Sequence, residues 1–166
     1  VGLIYIKSGV NISPIIFGGG QEKGLVSGTE NVGAICGFLK AYENLIDFDS
    51  SPIIELSSYI KEEIESIPGS IINGDNTSPY IISASFSGIK SEPLIHMLES
   101  HGVYVSSGSA CNMGEDSRIL SRINLPSEYM DGTIRISFDK NSTLEEGKEF
   151  IKILKEDIET IRSIMS

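Results

Sequence analysis

Cys111 sits in Ser106-Ser107-Gly108-Ser109-Ala110-Cys111-Asn112-Met113-Gly114, a run of small residues between a strand-like stretch and a helix-like one. A structural cysteine normally lies inside an apolar periodic run. Glycines on both sides and no bulky residue just before it predict an exposed, mobile thiol, the setting in which a thiolate can act as nucleophile. A small residue filling a turn is the plain alternative, since local sequence carries no sign of a lowered thiol pKa. Arg135 lies in Thr133-Ile134-Arg135-Ile136-Ser137, where strand alternation puts the isoleucines on one face and Arg135 with Ser137 on the other. A guanidinium fork binds carboxylates bidentately, so an amino-acid carboxylate is a candidate ligand, with a plain surface arginine as the alternative.

The third feature is the glycine-rich stretch Gly18-Gly19-Gly20-Gln21-Glu22-Lys23-Gly24-Leu25-Val26-Ser27-Gly28-Thr29, which leads into a helix-like segment. Free N–H groups at a helix start, with a hydroxyl beside them, can hold an anion. It is not a P-loop, because Leu25-Val26 stands where Lys and then Ser or Thr are required. A loop that simply lets the chain turn is the alternative. Cys36 lies next to Ile35 within a helical pattern and is expected to be a packed, inert thiol. A Cys36–Cys111 disulfide would need an oxidising compartment. No Cys-x-x-Cys or His-x-x-x-His spacing exists, and His96 and His101 lie five residues apart, off a shared helix face. No metal site is expected.

The elements that must position these residues follow from periodicity. Val1 to Ile6 reads as a strand. Ser27 and Glu30 have capping-box spacing ahead of a helix over residues 30–46, with Ile35, Phe38, Leu39, Tyr42, Leu45 and Ile46 on its apolar face. Asp47-Phe48-Asp49-Ser50-Ser51-Pro52 breaks that pattern, so domains over 1–50 and 51–166 are expected. A second helix starts at Pro52 and ends at Pro68-Gly69. Ile71-Ile72 and residues 80–86 read as strands around an Asn73-Gly74-Asp75-Asn76 turn, and residues 91–101 as a helix closed by Gly102. Residues 103–105 and 133–137 read as strands and 117–123 as a short helix. Thr143 and Glu146 cap a final helix with Leu144, Ile151, Leu154, Ile158, Ile161 and Met165 in one stripe. Strands and helices in this order make an α+β (or α/β) fold of two layers.

The chain has 166 residues with 13 basic and 23 acidic side chains, a net charge of −10. That balance argues against nucleic acid or an anionic membrane as direct partner. No apolar run approaches the ~20 residues of a membrane span. Two cysteines exclude a disulfide scaffold and favour a reducing, cytoplasmic setting. Val1 opens on strand-like residues with no charged leader or cleavage site ahead of it, so the chain reads as starting inside something larger.

In order, Gly18-Gly19-Gly20-Gln21-Glu22 with Ser27-Gly28-Thr29-Glu30-Asn31, then Ser107-Gly108-Ser109-Ala110-Cys111, then Ile134-Arg135-Ile136-Ser137 resemble the cysteine desulfurases, pyridoxal-phosphate (PLP) enzymes of aminotransferase class V. The resemblance covers nearly the whole chain. It implies that Cys111 is the nucleophile that takes sulfur from L-cysteine as a persulfide and leaves alanine. It also implies that Arg135 clamps the substrate carboxylate and that Thr29 reaches the cofactor phosphate of the partner subunit in a homodimer. The Gly-Ser-Ala-Cys loop resembles the branch that serves iron–sulfur cluster and thiolated-tRNA synthesis, whose usual acceptor is a scaffold protein.

Two positions depart from the pattern. Val26 stands where members of that family usually have Arg before Ser-Gly-Thr, which removes a positive charge near the dimer or cofactor site. The acidic run Asn112-Met113-Gly114-Glu115-Asp116 could raise the thiol pKa by repulsion. Lys7, Lys23 and Lys40 do not match the motif of the Schiff-base lysine, which the resemblance places ahead of Val1 together with the ring-stacking histidine. The expected architecture is therefore the end of a large PLP-binding domain with its dimer-contact loop and connecting helix. A small domain follows, with helices on one side of a mainly antiparallel sheet. The isolated chain is expected to be inactive. The rival readings are a non-enzymatic scaffold-binding module and a selenocysteine lyase or other class V enzyme.

Overall fold

The architecture is that of a computed structural model, which describes residues 1–46, 48–74, 78–108, 120 and 122–165. The chain divides into two compact units, Val1–Asp49 and Ser50–Ser166.

The second unit is built on helix α2, Ser51–Glu65, with Pro52 in its first turn where no amide hydrogen bond is lost. Its apolar positions Ile53, Leu56, Ile60 and Ile64 recur at helical spacing and are all buried. Strand β1, Ser70–Ile72, pairs antiparallel with β2, Ile81–Phe86. Helix α3 spans Ser91–Ser100, and β3 is the two-residue strand Ser106–Ser107. A single-turn helix α4, Ser127–Met130, leads into β4, Thr133–Ser137, and the chain closes with helix α5, Leu144–Met165. The sheet order is β1-β2-β4-β3, antiparallel throughout.

One sheet face is apolar: Ile82, Ala84 and Phe86 of β2 meet Ile134 and Ile136 of β4, all 5 % exposed or less. Leu56, Ile60 and Ile64 of α2, Leu94 and Leu98 of α3, and Ile151, Leu154, Ile158 and Ile161 of α5 complete this core. This is an α+β unit in two layers with its main helices on one side of the sheet. The cap of α5 is reciprocal. The Glu146 amide donates to Thr143 Oγ1 at 3.2 Å, and the Thr143 amide donates to Glu146 Oε2 at 2.8 Å.

The first unit differs. Its helix α1, Val32–Ile46, buries no side chain. Three local expectations need correction. Residues 1–6 have strand propensity but no pairing partner among the described residues, so they form no ladder. The cap of α1 is Asn31, whose Oδ1 accepts from the Ala34 amide at 3.1 Å, and not Ser27 with Glu30. The edge strand beside β4 is Ser106–Ser107 and not the apolar 103–105, because the register follows the β4 partners Arg135 and Ile134. The helix expected over 117–123 lies largely outside the described residues, as does the second half of the 73–76 turn.

Candidate functional site

The side of the sheet away from the helices is polar. Direct cross-strand partners share a face, so the pairing Ser83↔Arg135 and Ser106↔Arg135 places one arginine between two serines on adjacent strands. The exposure pattern of β4 matches the alternation: Ile134 and Ile136 are buried, Arg135 and Ser137 exposed. Arg135 Nη2 donates to Ser106 Oγ at 3.4 Å. So long a hydrogen bond is weak, and a ligand carboxylate offering two short charge-assisted bonds outcompetes it.

Beneath Arg135 the same face carries a buried chain of hydrogen bonds. Asn73 Nδ2 donates to Ser83 Oγ at 3.0 Å and to Ser85 Oγ at 2.8 Å. Ser85 Oγ lies 2.6 Å from Thr133 Oγ1, which reaches the Tyr129 carbonyl at 3.2 Å. An amide NH2 only donates and a carbonyl only accepts, so the protons run from Asn73 through Ser85 and Thr133 to Tyr129. Ser85 and Thr133 are 2 % exposed or less, so the cost of leaving either hydroxyl unpaired fixes both rotamers. Sequence reasoning missed this set, whose members lie far apart in the chain. The visible signal is serine at alternate positions of β2, Ser83 and Ser85.

Thr29 belongs to the first unit and is exposed. It precedes Asn31, the cap of α1, at the end of a loop with its own internal ties. Ser27 N donates to the Ile16 carbonyl at 3.2 Å, Ile16 pairs with Val26, and the Gly28 amide donates to Gln21 Oε1 at 3.2 Å. Gly20 and Gly24 have φ of +83° and +82°, which only glycine adopts without strain. The loop is therefore a defined turn that offers the Thr29 hydroxyl close to a helix N-terminus. Arg135 and Thr29 are each described within their own unit. Cys111 lies outside the described residues.

Cys36 is a free and exposed thiol, which corrects the expectation of a packed one. Its helix is amphipathic, but Ile35, Phe38, Leu39 and Tyr42 are themselves exposed, so no core surrounds the sulfur. Among the described residues no group of His, Cys, Asp and Glu could hold a metal ion. No helix there is long and apolar enough to cross a membrane. His101 does find a partner: its Nε2 is 3.5 Å from Oδ1 of Asp157, a carboxylate only 3 % exposed. Burial pushes the Asp157 carboxyl above its ordinary range, nearby His101 pulls it down, and Glu156 adds to the rise. A cleft lined by Leu56, Val103, Val105, Phe138 and Phe150 opens beside His101. Neither Arg135 nor Thr29 lines it, and its walls mix those apolar side chains with His101, Ser142, Thr143, Glu146 and Glu149.

The aminotransferase class-V family matches residues 1–150. A cysteine desulfurase IscS of Dictyoglomus turgidum is 38% identical over 99% of this chain and 44% of its own length. The cysteine desulfurase IscS of Methanosarcina thermophila is 32% identical, covering 98% of this chain and 42% of its own. Among solved structures, a NifS-like protein from Rickettsia africae has a TM-score of 0.74 at 28% identity, over 90% of this chain and 41% of that one. The chain thus spans less than half the length of these relatives. It belongs to the aminotransferase class-V family.

Proposed function

We propose that this chain is the C-terminal part of a PLP-dependent cysteine desulfurase that converts L-cysteine to L-alanine and carries the sulfur as a persulfide on Cys111. The observation that carries the reading is Arg135. It is an exposed arginine on a hydroxyl-lined sheet face, in a chain whose similarity to cysteine desulfurases runs from end to end. Residues 1–50 then represent the end of the cofactor-binding domain and 51–166 the small domain.

The residues present fit one edge of the cofactor. The exposed Thr29 hydroxyl, at the end of a defined turn near the N-terminus of α1, has the donor chemistry of a phosphate contact. Lys7, Lys23 and Lys40 do not match the cofactor-anchoring motif, so the anchoring lysine is not among them. When bound, PLP supplies the electron sink that weakens bonds at the substrate α-carbon.

Around it, the chain's own groups divide the work. Arg135 releases Ser106 and takes the substrate carboxylate in a bidentate pair, which fixes the amino acid's orientation. The Cys111 thiolate attacks the substrate sulfur. A sulfur–sulfur bond forms as the carbon–sulfur bond breaks, the bonding pair stays with the substrate carbon, and protonation there yields alanine. The persulfide then passes to an acceptor, which we take to be an iron–sulfur scaffold or another sulfur-accepting protein. The working form is a homodimer in the cytoplasm, in which Thr29 serves the partner's cofactor.

The test is alanine release from L-cysteine with added PLP. The 166-residue chain alone is expected to give none, and the full-length protein is expected to turn over. Turnover by the chain alone would contradict the assignment of the anchoring lysine to another segment. A full-length protein that turns over selenocysteine but not cysteine would favour the lyase.

A further inference from the structure

We propose that Ser83 is a second hydrogen-bond donor to the substrate carboxylate, beside Arg135, so that the site selects an α-amino acid over its decarboxylated counterpart. The inference rests on the desulfurase reading above. The Asn73 amide donates to the Ser83 carbonyl at 2.8 Å, which carries the β1–β2 register one residue past β1. Asn73, Ser83, Arg135 and Ser106 are therefore consecutive cross-strand neighbours, one row across the polar face. The β2–β4 ladder is hydrogen-bonded at Tyr80 with Phe138 and at Phe86 with Gly132. Bonded and non-bonded pairs alternate along an antiparallel ladder, so Ser83 and Arg135 form a non-bonded pair, the kind in which side chains stand closest.

The direction of the Ser83 proton follows from its neighbours. Thr133 Oγ1 gives its proton to the Tyr129 or Met130 carbonyl, at 3.2 and 3.3 Å. Ser85, 2.6 Å from Thr133 Oγ1, must then donate to Thr133 and accept from Asn73. The Asn73 group that faces Ser85 is thus the NH2, and it stands 3.0 Å from Ser83 Oγ as well. Ser83 accepts there, and among the described residues no acceptor takes its own proton. That proton is the one donor of the network left for a ligand, and it lies beside Arg135.

The guanidinium lies at the height of these hydroxyls. Arg135 Nη2 is 3.4 Å from Ser106 Oγ, an atom one bond beyond its Cβ, so the fork lies low over the row. A carboxylate has about four lone-pair sites, and the fork fills two of them. The Ser83 hydroxyl supplies a third bond from the flank opposite Ser106. Asn73 is a positioning residue here, since it acts only by turning the Ser83 proton outward.

The full-length enzyme with bound PLP is assayed with L-cysteine, and with cysteamine, the same thiol amine without the carboxylate, as competitive inhibitor. Ser83→Ala is expected to raise KM about tenfold, the loss of one hydrogen bond to a charged group, with kcat within about twofold. Inhibition by cysteamine stays within about twofold, because it has no carboxylate to lose the bond. Ser83→Thr keeps the hydroxyl and recovers KM to within about threefold of wild type. In an Arg135→Ala background, where the shared carboxylate is no longer anchored, adding Ser83→Ala costs less than about threefold. If Ser83→Ala does not fold, Ser83→Thr and Ser83→Val, alike in shape, are compared for the same difference of about tenfold.

An unchanged KM in Ser83→Ala, cysteamine inhibition weakened as much as KM is raised, or a full effect in the Arg135→Ala background overturns the role of Ser83. If Arg135→Ala raises KM and Ser83→Ala does not, the second donor is wrong and the desulfurase reading stands. A wild-type full-length protein that releases no alanine from L-cysteine defeats the reading on which the inference rests.

Discussion

The exposed position of Arg135 was legible in the sequence because alternation over Ile134-Arg135-Ile136-Ser137 is a local property; Thr133 departs from it, being buried on the polar face. Its role predicts that Arg135→Ala in the full-length enzyme raises KM for L-cysteine about 10- to 150-fold, the equivalent of about 1.5–3 kcal/mol for a charge-assisted pair. Steady-state kinetics check this, and an unchanged KM speaks against the clamp. Cys36 was misread for the opposite reason: whether a helix face is covered depends on residues far away in the chain. Asp157 was not singled out at all, since nothing in its neighbourhood on α5 marks it as buried. Burial raises its carboxyl above the ordinary 3.8, so the folded protein holds that proton more tightly than the unfolded chain does. The Asp157 contribution to stability is then complete below about pH 4 and is lost as pH rises through the raised value. Urea unfolding of wild type and Asp157→Asn across about pH 4 to 7 should show wild type losing ground to the variant as pH rises. A gap that grows in favour of wild type would contradict the direction.

At the scale of elements, the strongest signals were those with a local mechanism. Pro52 opens α2, and Thr143 with Glu146 caps α5 through both reciprocal bonds. Thr143→Ala is therefore expected to cost about 1 kcal/mol. Leu154, fully buried where α5 meets the sheet side of the core, should cost about 2–5 kcal/mol on truncation to Ala. Urea titration reads both, and a Leu154→Ala loss no larger than that of the cap would mean that α5 does not close the core. Where pairing decides, the sequence was silent. Residues 103–105 carry the β-branched valines, yet the ladder forms at Ser106–Ser107 opposite Arg135 and Ile134. The Asn73–Ser85–Thr133 chain has the same character. Three polar residues from three strand neighbourhoods meet only once the register is set.

For the whole molecule, the two units differ in how much they complete. Ser50–Ser166 closes its own core of helices against one sheet face, whereas Val1–Asp49 leaves its apolar side chains exposed among the described residues. Apolar side chains exposed on that scale mark an interaction surface. Motif order named the family from sequence because two glycine-containing motifs, at 18–31 and 107–111, are followed in order by Ile134-Arg135-Ile136-Ser137. The most direct measurement is mass analysis of the full-length enzyme after a single turnover with L-cysteine, beside Cys111→Ala. The account predicts one extra sulfur on Cys111 and one alanine released in the wild type, with neither in the variant. Alanine released undiminished by Cys111→Ala would contradict it.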